Sequence, residues 1–277
     1  MISKIKTDEI AVEIEEIAAP DISHLIIEDD TPVDNFQSEK QQCLLTNCLY
    51  DSWLGVDGSS RFLAAANVGV FYAVNKPALV PDVFLSLDVT IPDDWREREN
   101  RSYYTWEFGK APDVVVEIVS NKVGNELGSK LAGYARIGVW YYAVFDPLQK
   151  LGESLLQVYE LRANGYQQMT ETWLEKVGLG LTLWSGEFEG KQDTWLRWCD
   201  VEGNVIPTGA ERANQEKLDK KLALQRAEQE KQEKESALQR AEQEKQEKES
   251  ALQRAEQAEQ KLAELEARLR ELGIDPN

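Results

Sequence analysis

A segment of fourteen residues near the C-terminus is repeated without change, and this repeat limits the fold more than any other feature. Residues 223–236 read ALQRAEQEKQEKES, residues 237–250 repeat the same letters, and a third copy starts at Ala251. Fourteen residues make two heptads, and Ala, Leu, Glu, Gln, Lys and Arg are strong helix formers. The repeat therefore predicts one long charged helix over residues 209–273, followed by a short tail at 274–277.

The predicted helix has only a thin apolar stripe. Leucines occupy consecutive a/d-type positions close to its C-terminal end, at Leu262, Leu265, Leu269 and Leu272. Oppositely charged pairs four residues apart add only ~0.2–0.5 kcal/mol each. A solvated single helix with a C-terminal zipper and a full coiled coil fit this pattern equally well. We expect a homo-oligomer that assembles through this helix.

The acidity of the chain belongs to the part before the repeat. Residues 1–210 hold 17 Lys+Arg against 33 Asp+Glu, and the whole chain has a formal net charge of −19. Such a surface repels a polyanion, which argues against broad, non-specific duplex binding. A local basic groove or a bound divalent cation is still compatible with it.

The few cysteines and the single histidine argue against several classes of site, and the hydropathy of the chain argues against secretion and membrane contact. The three cysteines and the single histidine, His24, form neither a disulfide set nor a zinc pattern nor a His-based triad. We see no charged-then-apolar leader and no apolar run near ~18 residues. We therefore expect no secretion and no membrane contact, and we predict a reducing, cytoplasmic setting.

Residues 34–208 are predicted to form one mixed α/β domain, preceded by an acidic N-terminal arm at residues 1–33. The run at 114–119 is apolar on both faces, as is typical of a central strand, and a right-handed crossover would join it to the strand at 139–145. The predicted helices span about residues 36–53 and 124–137. The other predicted strands lie at residues 61–74, 82–89 and 102–108, with a hairpin at 155–161 and 166–169.

One acid, Glu117, lies inside the apolar run at residues 114–119. A buried carboxylate is costly, so such a residue usually has a metal ion, a cation or a catalytic task that offsets the cost. Asp82 opens a second apolar run, and Lys130 follows Glu117 by thirteen residues on a predicted helix. Two acids and a lysine at strand ends form the arrangement that metal-dependent phosphodiester chemistry requires.

The two acids predict a metal site. Mg²⁺ prefers oxygen ligands, often two carboxylates with water and substrate phosphate. Asp82 and Glu117 would supply that pair, and the carbonyl of Ile118 a third ligand for Mg²⁺ or Mn²⁺. Lys130 would orient the attacking water and stabilise the charge of the transition state. The alternative is structural, with Glu117 paired to Lys130 or Arg136 and Asp82 in an ordinary turn after proline.

Other polar and aromatic residues have simpler interpretations. Asp113 is read as a strand-opening turn, Lys122 as a solvated loop residue and Glu126 as a partner of Lys130 one helical turn away. Glu39 would lie on the solvated face of the first helix, although it is also a candidate for the outer part of a metal site. The tryptophans at 173, 184, 195 and 198 are interpreted as packing residues rather than as base-stacking residues.

Several motifs, taken in order, resemble the Uma2 family of restriction-endonuclease-like proteins. They are Pro81-Asp82, the run PDVVVEIVS at 112–120, Lys130-x₃-Tyr134, Gly138-Val139-x-x-Tyr142 and Asp146-Pro147. The resemblance covers approximately residues 30–200. It implies a PD-(D/E)xK nuclease fold, a restriction-endonuclease-like mixed sheet flanked by helices, in which Asp82 and Glu117 match the acids of the family.

Two departures from the family pattern bear on activity. The usual lysine two positions after the acid is Val119 here, so the basic role would pass to Lys130, as in members whose lysine lies on the following helix. Tyr141 occupies a position where the family often has an acid. The resemblance implies a Mg²⁺-dependent endonuclease acting on DNA. The departures keep open a catalytically inactive nuclease-fold module that serves protein assembly through the C-terminal coiled coil.

Overall fold

The computed structural model describes residues 35–58, 61–73, 75–97, 100–120 and 125–273. The acidic arm, the loop position Lys122 and the tail at 274–277 lie outside the described residues. The chain divides into two compact units, residues 1–209 and 210–277.

The first unit is built mainly from β-strands. In the described ranges they are β1 (Phe62–Ala66), β2 (Val70–Phe71), β3 (Val83–Leu87), β4 (Tyr103–Tyr104), β5 (Val114–Ile118), β6 (Tyr141–Phe145), β7 (Leu156–Arg162), β8 (Gly165–Gln168), β9 (Trp173–Leu174), β10 (Leu179–Phe188) and β11 (Lys191–Cys199). The helices are α1 (Phe36–Ser52), α2 (Thr105–Phe108) and α3 (Leu131–Ile137), and a π-helical turn, Glu126–Lys130, leads into α3. The long helix α4 spans Gly209–Glu271.

The main sheet has six strands in the order β1-β3-β5-β6-β7-β8. Its neighbouring strands are antiparallel except β5 and β6, which run parallel and are connected through α3. The predicted mixed α/β architecture is therefore confirmed, with β5 in the interior of the sheet. A second sheet of three strands has the order β11-β10-β9.

Two apolar cores cover the two faces of the main sheet. Val114, Val116 and Ile118 pack in one core together with Leu45 of α1 and Trp198 of β11. Val115 and Val119 belong to the other core, together with Tyr134 of α3. Successive side chains of a strand point to opposite faces, so Glu117 lies on the same face as Val115. This is the face that α3 covers.

The prediction of one strand over residues 102–108 is wrong. The segment forms only the two-residue strand β4 and then the helical turn α2, which ends at Gly109 with a left-handed φ of 71°. The turn brings Phe108 back over Tyr103, with ring centroids 4.4 Å apart and planes at 8°. Packing between these two rings favours the turn over a continued strand.

Two other predicted elements are interrupted. The strand at 61–74 is broken after β1, where Asn67 adopts a left-handed φ of 54°. The predicted helix at 124–137 begins as the π-helical turn, with a non-helical Gly128, and becomes regular only from Leu131. It ends at Gly138 with φ 88°, as the sequence indicated.

The second unit contains almost all of α4, which confirms the predicted long helix. The helix has 63 residues, which corresponds to about 95 Å. None of its residues, all of which the structure describes, is buried. In the part of the chain with described coordinates, no helix is long and apolar enough to cross a membrane.

Candidate functional site

The pairing of β3 with β5 brings the two predicted acids together. The strands are antiparallel with Val83 opposite Val116, so Asp82, one residue before β3, lies opposite Glu117. Residues directly opposite each other in an antiparallel pair point to the same face. Asp82 and Glu117 therefore lie side by side on the α3 face, where the ladder between β3 and β5 ends.

Asp82 completes the hydrogen bonding of β5. Val119 N donates to Phe145 O in β6 at 2.8 Å, so the neighbouring N–H of Ile118 points the other way, towards β3. Because β3 does not extend that far, the Asp82 side chain replaces the missing carbonyl, and its Oδ2 accepts from Ile118 N at 2.6 Å. Its Oδ1 accepts from Gln42 Nε2 at 3.3 Å.

Gln42 of α1 is a site residue that sequence reasoning missed. It is 4% exposed, and its Oε1 accepts from Asn67 Nδ2 at 3.0 Å. Asn67 N in turn donates to Asp82 O at 3.2 Å. Gln42 lies three residues before Leu45 on the buried face of α1, and this helical spacing was a usable signal. Glu39, the other candidate on α1, is exposed and accepts from Cys43 Sγ.

Glu117 is fully buried and has two partners. Its Oε2 lies 2.9 Å from Lys130 Nζ, and its Oε1 accepts from Tyr134 Oη at 2.7 Å. Burial and the neighbouring charge of Asp82 raise the pKa of Glu117 from 4.5 to about 8, against the attraction of Lys130. The carboxyl group thus binds a proton far more readily than an exposed glutamate.

Lys130 is positioned by the π-helical turn. Its Nζ contacts Glu117 and lies 3.8 Å from Glu126 Oε1. Burial disfavours the charged ammonium, but the attraction of Glu117, Asp82 and Glu126 outweighs it and raises the pKa of Lys130 above 10.5. Glu126 is 4% exposed, and its Oε2 has no hydrogen-bond partner among the described residues. Lys130 is thus a charged lysine held near three carboxyl groups, those of Glu117, Asp82 and Glu126.

The other cations and acids lie elsewhere. Arg136, the alternative partner of Glu117, is exposed on α3. Asp113 sits just before β5, at the end opposite Glu117, where its Oδ2 contacts Lys110 Nζ at 2.5 Å and accepts from Leu87 N at 2.7 Å. These contacts fit the interpretation of Asp113 as a strand-opening residue that ties β5 to β3.

The donor set suits a hard cation. In the described ranges no group of three or more His, Cys, Asp or Glu side chains could hold an ion. Asp82 and Glu117 nevertheless offer two carboxyl groups on adjacent strands, and Ile118, the predicted third ligand, follows Glu117 in β5. Oxygen ligands of this kind, completed by water and phosphate, are those that Mg²⁺ accepts. A divalent cation would also offset the repulsion between the two carboxylates.

Comparison with known proteins gives a family. A family model described as Uma2, putative restriction endonuclease, matches residues 24–183. Among curated proteins, none matches the chain. The matched segment is more than half of the 277 residues and contains Asp82, Glu117 and Lys130. The resemblance seen in the sequence motifs is therefore confirmed, and the chain belongs to the Uma2 family.

Proposed function

We propose that this protein is a divalent-metal-dependent endonuclease that hydrolyses phosphodiester bonds in DNA. We further propose that its main sheet and flanking helices are a restriction-endonuclease-like fold with a PD-(D/E)xK-type site. Membership of the Uma2 family supports both statements. The observation that carries the proposal is the contact of Lys130 Nζ with Glu117 Oε2, 2.9 Å away, beside Asp82 on the adjacent strand.

In this proposal Asp82, Glu117 and the carbonyl of Ile118 hold Mg²⁺ or Mn²⁺. The ion, when bound, supplies Lewis-acid polarisation of a phosphoryl oxygen and makes a water molecule more acidic. Lys130 orients that water and donates hydrogen bonds to the negative charge that develops on the phosphate. Tyr134 and Gln42 hold the two carboxyl groups in position through hydrogen bonds to Glu117 and Asp82.

The position of Lys130 accounts for the absence of lysine at residue 119. Val119 lies two residues after Glu117 on the same face of β5 and is 1% exposed in the core under α3. A lysine there would have to be buried beneath this helix. The ammonium group of Lys130 approaches Glu117 from the helix side instead. Lys130 would thus take the role of the usual lysine, although it comes from the turn before α3 and not from β5.

A second candidate function is a nuclease-fold module without catalysis, which serves protein assembly. Val119 at the usual lysine position and the excess of 33 acidic over 17 basic residues in residues 1–210 favour it. In that case the contact between Lys130 and Glu117 would be a structural ion pair. The two candidates differ in whether the protein binds a divalent ion and uses it.

Titration with Mg²⁺ or Mn²⁺ separates the two candidates. We expect wild-type protein to bind a divalent ion in calorimetry and to cleave some member of a panel of DNA and RNA substrates. Asp82→Ala should weaken ion binding by about tenfold or more, because a ligand is lost. The matched control is Asp88→Ala at the other end of β3, an exposed acid near Arg61. Wild-type protein with neither binding nor cleavage would leave only the assembly module.

We also propose that α4 joins copies of the chain. Leu262 and Leu265 on this helix are 61% and 60% exposed, Leu272 just after its end is 71% exposed, and a second helix would bury them. Truncation after Pro207 should lower the molar mass measured by light scattering. Replacing Leu262 and Leu265 with lysine should do the same in the full-length chain. An unchanged mass in both variants would show that α4 is not the assembly element.

A further inference from the structure

A cavity lies on the same face of the main sheet as Asp82. Its volume is about 550 Å³, and its floor is formed by β1 and β3, where Ala65 lies opposite Phe84. Phe84 follows Asp82 by two residues and therefore shares its face, at a distance of about 7 Å along the strand. The cavity thus begins beside the candidate site.

The walls of this cavity are aromatic. Tyr103 and Phe108 stack on each other with ring centroids 4.4 Å apart, and Phe84 meets Tyr103 edge-on at 5.2 Å. Trp95 also lines the cavity, yet it is 59% exposed. A large indole exposed at the mouth of an apolar cavity has unused surface on which a planar ligand can stack.

The rim of the cavity carries positive charge. Arg96 and Arg101 line it together with Asn100 and Ser102, and no acidic residue is among the described lining residues. Arg101 Nε donates to the backbone carbonyl of Arg96 at 2.7 Å, which holds the Arg101 side chain against the segment that carries Arg96. Asp93, Asp94 and Glu97 belong to the same segment but do not line the cavity, so the positive charge is confined to the two lining arginines. Guanidinium groups bind phosphate through paired hydrogen bonds.

These walls and arginines suit a ligand that has a flat apolar ring, polar ring edges and an adjacent anionic group. A nucleotide has all three. A cavity of about 550 Å³ lies within the usual range of about 300–1,000 Å³ for small-ligand sites and has room for a base with its sugar. A base can enter such a cavity only when it is unpaired and unstacked. The cost of unstacking is lowest in single strands, mismatches and ends.

We propose that this cavity, the arginine-rimmed pocket, binds one unstacked nucleobase next to the phosphate at Asp82 and Glu117. The inference rests on the proposed nuclease function for the identity of that phosphate. The base stacks against Trp95, and Arg96 and Arg101 contact the flanking phosphates. The substrate is then DNA with single-stranded or opened segments rather than continuous duplex. This also agrees with an acidic surface that would repel long duplex DNA.

Binding in EDTA tests the pocket without any cleavage. The probes are a labelled DNA single strand of about 12 nucleotides, a matching length of abasic strand and the corresponding duplex, measured by fluorescence anisotropy. We expect the single strand to bind about tenfold more tightly than the abasic strand and than the duplex, because stacking on one base is lost in both. Equal binding of the single strand and the abasic strand would overturn the proposal.

Matched variants locate the contact. Trp95→Leu and Arg101→Ala should each weaken single-strand binding by about tenfold. Trp106→Leu is the control for the indole, since Trp106 is 48% exposed in the neighbouring α2 and does not line the pocket. Arg162→Ala, at the opposite edge of the sheet, is the control for charge. Equal losses in the controls, or none in Trp95→Leu, would contradict the assignment.

A variant that fills the pocket tests the proposal independently of Trp95 and Arg101, whose exposed neighbours could compensate for their loss. Val68→Phe places a ring into the lining of the pocket and should remove the preference for bases while thermal unfolding stays cooperative. A retained preference in this variant would refute the pocket. Base-dependent binding without divalent-dependent cleavage would support the pocket and defeat the nuclease. Cleavage without base-dependent binding would support the nuclease and refute the pocket.

Discussion

Glu117→Gln is expected to lower divalent-dependent cleavage by about 10³-fold, the largest effect of any single substitution in this protein. Glutamine keeps the size of the side chain and can still accept from Tyr134, but it removes a negative charge from the proposed ion site. The lost ligand and the altered position of Lys130 both act on the transition state. Single-turnover nicking of supercoiled DNA at saturating Mg²⁺ measures this loss.

Asp113→Asn is the matched control for that substitution. Asp113 is also a largely buried acid beside a lysine, Lys110, and it lies just before the same strand, at the end away from Glu117. The control should reduce thermal stability and leave the cleavage rate nearly unchanged. Similar losses of cleavage in both variants would mean that the integrity of β5 is being measured. Full activity in Glu117→Gln would reduce its contact with Lys130 to a structural ion pair.

The second large effect is a fall in stability with rising pH. The pKa of Glu117 is raised from 4.5 to about 8 in the folded protein, so its carboxyl group folds without penalty when protonated. Between about pH 4.5 and 8 the unfolded chain loses this proton first, and the folded state becomes less stable. Above pH 8 the free energy of unfolding is therefore lower than at acidic pH by on the order of 5 kcal/mol, the equivalent of the difference between the two pKa values.

Urea unfolding of wild type and Glu117→Gln across this pH range isolates the contribution. Glutamine does not titrate, so the unfolding free energy of the variant relative to wild type should increase as pH rises from 4.5 to about 8. Carboxyl groups that do not interact with Glu117 titrate alike in both proteins and cancel, whereas the coupling between Asp82 and Glu117 is part of the measured difference. Added Mg²⁺ at high pH should stabilise wild type more than the variant. Parallel pH profiles without Mg²⁺ would contradict the raised pKa.

The sequence revealed the parts of the site that stand out locally. Glu117 is the only acid in an apolar run, and the pattern after it indicated a helix that ends at Gly138, so the path from Glu117 to Lys130 could be predicted. To predict that Asp82 lies opposite Glu117, one further assumption was enough, namely that β3 and β5 are neighbouring strands. The roles of these residues stay predictions until ion binding and cleavage are measured.

Other parts depended on contacts between distant segments. The short strand β4 gives way to α2 because Phe108 packs on Tyr103, and no periodicity in residues 102–108 reports that packing. Gln42 reaches Asp82 because α1 passes the end of β3, which is a matter of topology. The arginine-rimmed pocket combines β1, β3 and the segment before β4, and no one of these segments is unusual alone.

The unchanged repeat in α4 makes alignment between paired helices ambiguous. In the proposed pairing, a partner helix displaced by one repeat meets the same residue types over residues 223–243, and the displacement corresponds to about 21 Å. The segments outside the repeat, residues 209–222 before it and the leucine-rich end from Leu262 to Leu272 after it, can distinguish one alignment from the other. If α4 pairs as proposed, the repeats would act as an adjustable spacer, and the non-repeated ends would set the alignment.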